Sequence, residues 1–247
     1  MADEKNKTEP ALYIVPTPIG NLEDITLRAL KALREADAIA CEDTRRSGQL
    51  LSALEIKPKK LIAYHDYNEA ERSAGLVNMI LRGASVALIS DAGTPSISDP
   101  GYRLVAAAIE AGVKVIPLPG ATAAITALSA SGLPVHSFTF LGFAPAKKGR
   151  KTFLSQLIAK TETTILYESV HKVATLFAEL EAAGLGARQA VCARELTKLH
   201  EEFIRGSVAE INKELSARSS LKGEFVILIA GADAKPGKNK TWGAEND

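Results

Sequence analysis

Through the first half of the chain, short apolar runs alternate with amphipathic stretches. LYIV (12–15), AIAC (38–41), KLIAY (60–64), SVALIS (85–90) and VKVIPL (113–118) are brief, partly β-branched and bounded by polar or turn residues. That is the pattern of buried strands. The spacing predicts helices between them. In 26–36, Leu27, Leu30 and Leu33 share one face while Arg28, Lys31 and Arg34 lie off it. In 99–112, Asp99 is placed as the N-cap, Pro100 in the first turn and Gly112 as the C-terminal stop. Strand–helix alternation of this kind implies crossover connections and a mostly parallel sheet.

The rhythm changes after PLPG (117–120). A small-residue helix is expected over 121–131. FTFLGF (138–143), TTILYE (163–168), RQAVCARE (188–195), EEFIRG (201–206) and EFVILIAG (224–231) then read as strands, with helices over 150–160, 170–183 and 207–217. A short connection at 196–200 suggests a hairpin, so this half is expected to be mixed rather than purely parallel. The chain therefore divides into an α/β lobe over 11–119 and a second over 120–232. A loose arm (1–10) and a loose polar tail (233–247) flank them.

Composition removes several classes of function. Apolar residues at 46% and charged residues at 24% exclude wholesale disorder. Thirty basic against 29 acidic residues give a net charge of +1, so any nucleic-acid surface must be a local patch. Two cysteines, Cys41 and Cys192, exclude a disulfide framework and a four-cysteine zinc site, and fit a reducing cytosol. The charged start, MADEKNKTEP, lacks the apolar stretch of a secretory signal. The stretch 115–146 holds no Lys, Arg, Asp or Glu, yet Pro117, Pro119, Gly120, Gly132 and Pro134 interrupt it, which suits a buried core and not a membrane span. No GxGxxG, GxxxxGK[ST] or GxSxG motif occurs. His65, His136, His171 and His200 match no zinc spacing, and no metal is expected.

Open α/β sheets hold ligands beyond the carboxyl ends of their strands, and three such loops carry unusual content. PTPIGNLEDIT (16–26) is longer than a connection needs, with Asp24 or Thr26 as a cap for the helix that follows. CEDTRRSGQ (41–49) brings two carboxylates and two guanidiniums to a strand end; a capping and salt-bridge cluster explains it as well as a site does. SDAGTPSISDPG (90–101) carries Gly93 and Pro95, which let backbone approach a ligand closely. A cleft at the PLPG junction would gather the 16–26, 90–101 and 121–123 loops. The uncharged 115–146 stretch suits the wall of an adenine pocket or a plain core.

GNLEDITLRAL, CEDTRRSGQLL, LISDAGTPSISDPGYRLV and PLPGATAAITALSASGLP resemble the corresponding blocks of the bacterial 16S ribosomal RNA cytidine 2′-O-ribose methyltransferases, within the tetrapyrrole-methylase superfamily. The resemblance runs through LGFAPAKKGRK, ILYESVHKV and CARELTKLHEEFIRG to KGEFVILI, covering roughly residues 11–231. It implies two α/β lobes with S-adenosyl-L-methionine in the cleft between them, a homodimer, and 16S ribosomal RNA in the small ribosomal subunit as substrate. A tetrapyrrole methylase and a non-catalytic ribosome-assembly factor are the alternatives. The basic 147–151 segment and the CEDTRR loop stand against the first of these.

Cofactor contacts are expected from Pro18, Asp91, Ala92, Gly93, Thr94, Pro95, Ile97, Ser98, Ala121, Thr122 and Tyr167. RNA contacts are expected from Asn21, Glu42, Asp43, Arg45, Arg46, His65, Lys147, Lys148, Arg150 and Lys151, with Tyr64 and Tyr67 as further stacking candidates. An ordinary solvated surface explains the basic runs equally well, and a core position explains Tyr64. For catalysis, Glu168 is favoured as the proton acceptor, with His171, Arg194 and Glu195 beside it and Arg194 for orientation. A salt-bridged strand end is the plain alternative for Arg194–Glu195. Positioning without an essential base is the alternative mechanism.

Overall fold

The structure, a computed structural model, describes residues 8–232. The expected tail (233–247) and most of the expected arm (1–7) lie outside the described residues. The arm's end is not loose: Thr8 Oγ1 donates to Ser85 Oγ at 3.1 Å, and Glu9 pairs with Lys114.

The chain divides into two compact units between Thr122 and Ala123, just past PLPG. The first contains β1 (Leu12–Ile14), α1 (Leu27–Glu35), β2 (Ala38–Cys41), α2 (Thr44–Ala53), β3 (Leu61–Ala63), α3 (Glu69–Leu81), β4 (Val86–Ile89), α4 (Tyr102–Glu110) and β5 (Val115–Pro117). Its five strands are all parallel, in the order β3-β2-β4-β1-β5. Alternation along each strand feeds two cores. Tyr13, Val15, Ile39, Cys41, Ala87 and Ile89 pack with Leu33 of α1 and Leu51 of α2. Leu12, Ile14, Ala38, Ala40, Val86 and Leu88 pack with Leu76 and Ile80 of α3 and Leu104 of α4. The sheet is covered on both faces, as parallel sheets require.

The second unit runs α5 (Ala123–Ser129), β6 (Phe138–Phe143), α6 (Arg150–Ile158), β7 (Thr163–Glu168), α7 (Val173–Leu180), β8 (Gln189–Arg194), β9 (Glu202–Ser207), α8 (Val208–Ala217) and β10 (Phe225–Ile229). Its sheet, β6-β7-β10-β8-β9, is mixed: β6 and β7 are parallel, and β10 runs antiparallel to β7 and β8. The expected hairpin is the β8–β9 pair, with Arg194 opposite Glu202. Leu166, Cys192, Ile204, Phe225 and Ile227 build its core with Leu176, Phe177 and Leu180 of α7 and Ile211 of α8.

The helices α2 and α3 exceed what the pattern predicted. Each carries an interior glycine, Gly48 or Gly75, which weakens helix preference by about 1 kcal/mol. Each lies on the sheet through one narrow apolar stripe. The 41–49 stretch is therefore mostly helix: Asp43 is the N-cap and accepts from Arg45 N.

Candidate functional site

The carboxyl edge of the first sheet is built by mutual pinning of three loops. Thr17 and Gly93 form an antiparallel bridge, with Thr17 N donating to Gly93 O at 2.9 Å and Gly93 N to Thr17 O at 3.0 Å. Thr17 Oγ1 also donates to Ser90 O at 3.2 Å. Thr94 Oγ1 donates to Ala121 O at 2.9 Å. The loops after β1, β4 and β5 thus meet, as the sequence led us to expect. Thr26 rather than Asp24 caps α1, accepting from Ala29 N, and Asn21 accepts from Glu23 N to start a short 3-10 turn.

Among the expected cofactor contacts, Ala92, Ile97 and Ser98 are exposed, Asp91, Thr94, Ala121 and Thr122 are half-buried, and Pro18, Gly93 and Pro95 are buried. Gly93, Ser96 and Ser98 all have positive φ, at 83°, 71° and 66°. Two serines there hold a backbone conformation that costs a non-glycine residue free energy and survives only where its surroundings over-determine it.

Asp99 does not cap α4. The helix starts at Tyr102 with Gly101 as N-cap, and the Asp99 carboxyl turns towards Ser90 instead. Burial pushes that carboxyl up to about 6, with Glu42, Asp91 and Asp66 adding to the effect and the bond to Ser90 opposing it. Glu42 is raised too, through burial and then Asp91 and Asp66. Four carboxyl groups from three loops, Asp91 and Asp99 on the 90–101 loop itself, therefore concentrate negative potential there. A carboxyl raised in the folded state stabilises the fold below its unfolded pKa, and that contribution is lost as pH rises through about 6. Asp99→Asn is accordingly expected to match the parent protein's melting temperature at pH 4 and to exceed it at pH 8. A variant that melts at or below the parent at pH 8 contradicts this placement of Asp99.

The first unit's expected RNA contacts are near this edge but partly engaged. Arg45 pairs with Asp43 at 3.1 Å, holding the Asp43 carboxyl down at about 2, and Arg46 pairs with Asp91 at 2.9 Å. Both guanidiniums are largely exposed, so these pairs are weak and can exchange for a phosphate. His65 is half-buried and held by Asn68, while Tyr67 is 99% exposed and lies edge-on to it at 6.1 Å. Tyr64 is core, at 1% exposure.

In the second unit, Glu168 and Arg194 sit at one edge, both opposite Phe225 across neighbouring strand pairs. Tyr167 packs edge-on against Phe140 and Phe143 and accepts from Ala124 N at 3.2 Å. One expectation is corrected here. Arg150 is not a surface cation: its side chain is 10% exposed, donates to Glu179 Oε2 at 2.7 Å and Pro145 O at 2.9 Å, and lies 3.8 Å from Glu168 Oε2. Glu168 is 4% exposed, and its Oε1 accepts from Ser169 N. Arg194 and Glu195 follow the plainer reading. Arg194 donates to Lys222 O and Glu202, and Glu195 takes Lys198 and Glu224 N, with its carboxyl lowered chiefly by the bond to Lys198. His171, Lys147, Lys148 and Lys151 remain exposed.

The residues that sequence reasoning missed are Asp66, Asp99 as an acidic group, and Glu69. Only the tertiary fold brings Asp66 and Asp99 to Glu42 and Asp91. Among the described residues, no group of three or more His, Cys, Asp or Glu side chains is arranged to hold a metal ion, and no helix is long and apolar enough to cross a membrane.

A parallel α/β unit with a pinned loop beyond its strand ends is followed by a mixed α/β unit. The model of the Tetrapyrrole (Corrin/Porphyrin) Methylases matches residues 11–212, and the chain belongs to that family. Within it, the chain is similar to proteins named ribosomal RNA small subunit methyltransferase I. It is 49% identical over 222 residues to that of Micromonospora olivasterospora, covering 90% of this chain and 70% of the relative. It is 50% identical over 224 residues to that of Vibrio cholerae, covering 90% and 77%. Among solved structures, the cobalamin biosynthetic enzyme cobalt precorrin-4 methyltransferase aligns with a TM-score of 0.64 at 20% identity, over 90% of this chain and 95% of that one. Uroporphyrin-III C-methyltransferase from Thermus thermophilus, complexed with S-adenosyl homocysteine, aligns with a TM-score of 0.58 at 21% identity, over 88% and 96%. At those identities the structural likeness speaks for the fold.

Proposed function

We propose that the protein transfers a methyl group from S-adenosyl-L-methionine to 16S ribosomal RNA of the small subunit, at the ribose 2′-hydroxyl of a cytidine. The observation that carries the RNA substrate is the near-half identity, along nine-tenths of this chain, to proteins bearing that name. The homodimer and a cytoplasmic place of action belong to the same proposal.

The residues of the 90–101 loop fit the cofactor. Exposed Ala92 and Ile97 offer apolar contact, and among the described residues the buried Ser96 Oγ has no hydrogen-bond partner. When bound, S-adenosyl-L-methionine supplies an electrophilic methyl on a cationic sulfonium. The carboxylates of Glu42, Asp66, Asp91 and Asp99 favour a cation over a neutral product in their field. Methyl transfer from a sulfonium needs alignment above all, which a loop pinned at Thr17 and Ala121 provides.

The test is incubation of the protein with radiolabelled cofactor and small subunits lacking the modification. Label in the 16S RNA, mapping to a ribose, supports the proposal. Label in a tetrapyrrole and none in RNA moves the activity to the alternative substrate, and absence of transfer leaves a binding factor. RNA engagement has its own signature. Lys147→Gln, Lys148→Gln and Lys151→Gln together are expected to weaken RNA binding and to lower its log–log salt slope by about 0.7–0.9 for each phosphate that is no longer neutralised. Cofactor affinity should stay unchanged. An unaltered slope would make the three lysines a solvated face.

A further inference from the structure

The amino end of α4 has no cap of its own, although it closes the 90–101 loop. Gly101, its N-cap, has φ 146° and no side chain, and the first backbone N–H groups of a helix need acceptors. Two buried groups from elsewhere in the unit supply them. Gly101 N donates to Glu69 Oε1 at 2.8 Å, and Leu104 N donates to the Tyr64 hydroxyl at 3.1 Å. The Tyr64 hydroxyl in turn donates to the same Glu69 Oε1 at 3.2 Å and lies 3.1 Å from Ser73 Oγ. Ser73 Oγ donates to Glu69 O at 2.6 Å, and Arg103 Nε stands 3.5 Å from Glu69 Oε2. Tyr64 follows β3 and Glu69 is the first residue of α3, so the cap is assembled across three elements. Glu69 is 8% exposed and Tyr64 1%. A carboxylate at this position also gains from the helix dipole.

We infer that Glu69 and Tyr64 are positioning residues that set the path of the 90–101 loop by capping α4. The inference rests on the assignment of that loop to the cofactor. The loop is clamped at its start by the Thr17–Gly93 bridge and at its end by this cap. Between the clamps lie Ser96 and Ser98 at positive φ, with Ser96 Oγ seated directly against Gly101, where no Cβ would fit. Such strain persists only while both ends are held. Without the cap, the two serines relax and redirect Ile97 and Ser98, two of the loop's exposed residues. The hub stays intact at working pH because burial pushes the Tyr64 hydroxyl up to about 12, which keeps its proton.

The experiment compares full-length Glu69→Ala, Glu69→Gln and Tyr64→Phe with the parent protein. Cofactor affinity is read by calorimetry, methyl transfer by steady-state kinetics and folding by thermal melts. Glu69→Ala and Tyr64→Phe should weaken cofactor binding about tenfold, the scale of removing a buried cap, while kcat at saturating cofactor stays within about twofold. Glu69→Gln keeps the Oε1 acceptor and should rescue affinity to within about threefold of the parent. Leu176→Ala, a core truncation in the other unit, controls for reduced stability and should leave cofactor affinity alone. Tyr64→Phe removes one hydroxyl and keeps the ring, so it decides the matter where Glu69→Ala fails to fold.

Parental affinity in folded Tyr64→Phe and Glu69→Ala overturns the inference, as does an equal loss in Leu176→Ala. In either case, weakened cofactor binding by a Gly93→Val protein leaves the loop assignment standing. Parental affinity in Gly93→Val overturns the loop assignment and this inference with it.

Discussion

Gly93→Val is expected to weaken cofactor binding by about 30- to 100-fold while leaving a folded protein. Gly93 has φ 83°, a region in which a β-branched residue is strained by about 2–3 kcal/mol. A Cβ there would also meet Ile19 Cγ2 at 3.3 Å and Ala121 O at 3.7 Å. Valine can escape only by turning the adjoining peptides, which breaks both hydrogen bonds to Thr17 and moves the loop's entry. At tenfold per 1.4 kcal/mol, strain of that size lowers affinity by about 30- to 100-fold. The site lies outside the two core clusters of its unit, so the melting temperature should fall only modestly. From the sequence, Gly93 is a position where backbone approaches a ligand closely. In the structure the constraint comes from the backbone conformation and from Ile19. Calorimetry showing unchanged affinity for a folded Gly93→Val protein would remove this loop from the cofactor site.

The second large effect concerns stability. Arg150→Ala strands Glu168, which is 4% exposed and pairs with no other cation among the described residues, and also strips Glu179 of its partner. Removing one member of a buried ion pair leaves an uncompensated charge and costs about 3–5 kcal/mol. It also frees the carbonyl of Pro145, and with it the segment that carries Lys147 and Lys148. Thermal melts should show a fall of about 6–20 °C, at about 2–4 °C per kcal/mol for a chain this long. Removing the exposed charges of Lys147, Lys148 and Lys151 should hardly move the melting temperature, since surface changes stay within about 0.5 kcal/mol. The two sets of substitutions thus separate the structural role of Arg150 from the RNA contact proposed for the three lysines. If Arg150→Ala melts with the parent protein and loses RNA affinity instead, the ion pair is dispensable and the arginine belongs to the RNA surface.

Much of the fold was legible because period and punctuation agree along the chain. The strand runs from LYIV to EFVILIAG fall where ten strands form among the described residues, and the 196–200 connection is a hairpin turn. Thr26 and Gly112 act at helix ends as read, Gly112 with φ 68° just past α4. Helices α2 and α3 were less legible, since glycine at 48 and 75 and polar residues over most of their surface leave a narrow stripe. The site followed the same division. Long loops rich in Gly, Pro, Asp and Ser announced themselves, because such composition exceeds what a connection needs. The engagement of single side chains did not. Arg150 reads as one more cation beside three lysines, and only packing reveals that it alone turns inward to Glu168 and Glu179.

What the sequence determined by itself about this protein is therefore the local and periodic part: two α/β units, a parallel then a mixed sheet, the strand-end loops and the family they mark. Neighbouring residues settle those matters through propensity, alternation and capping. Tertiary structure alone decided which polar groups share an environment. Burial, together with Glu42, Asp91 and Asp66, pushes the Asp99 carboxyl up to about 6, while Glu69 and Tyr64 cap a helix more than thirty residues away. Burial and electrostatic coupling depend on distances across loops that no sequence spacing encodes, and those distances exist only once the sheet has set its strand order.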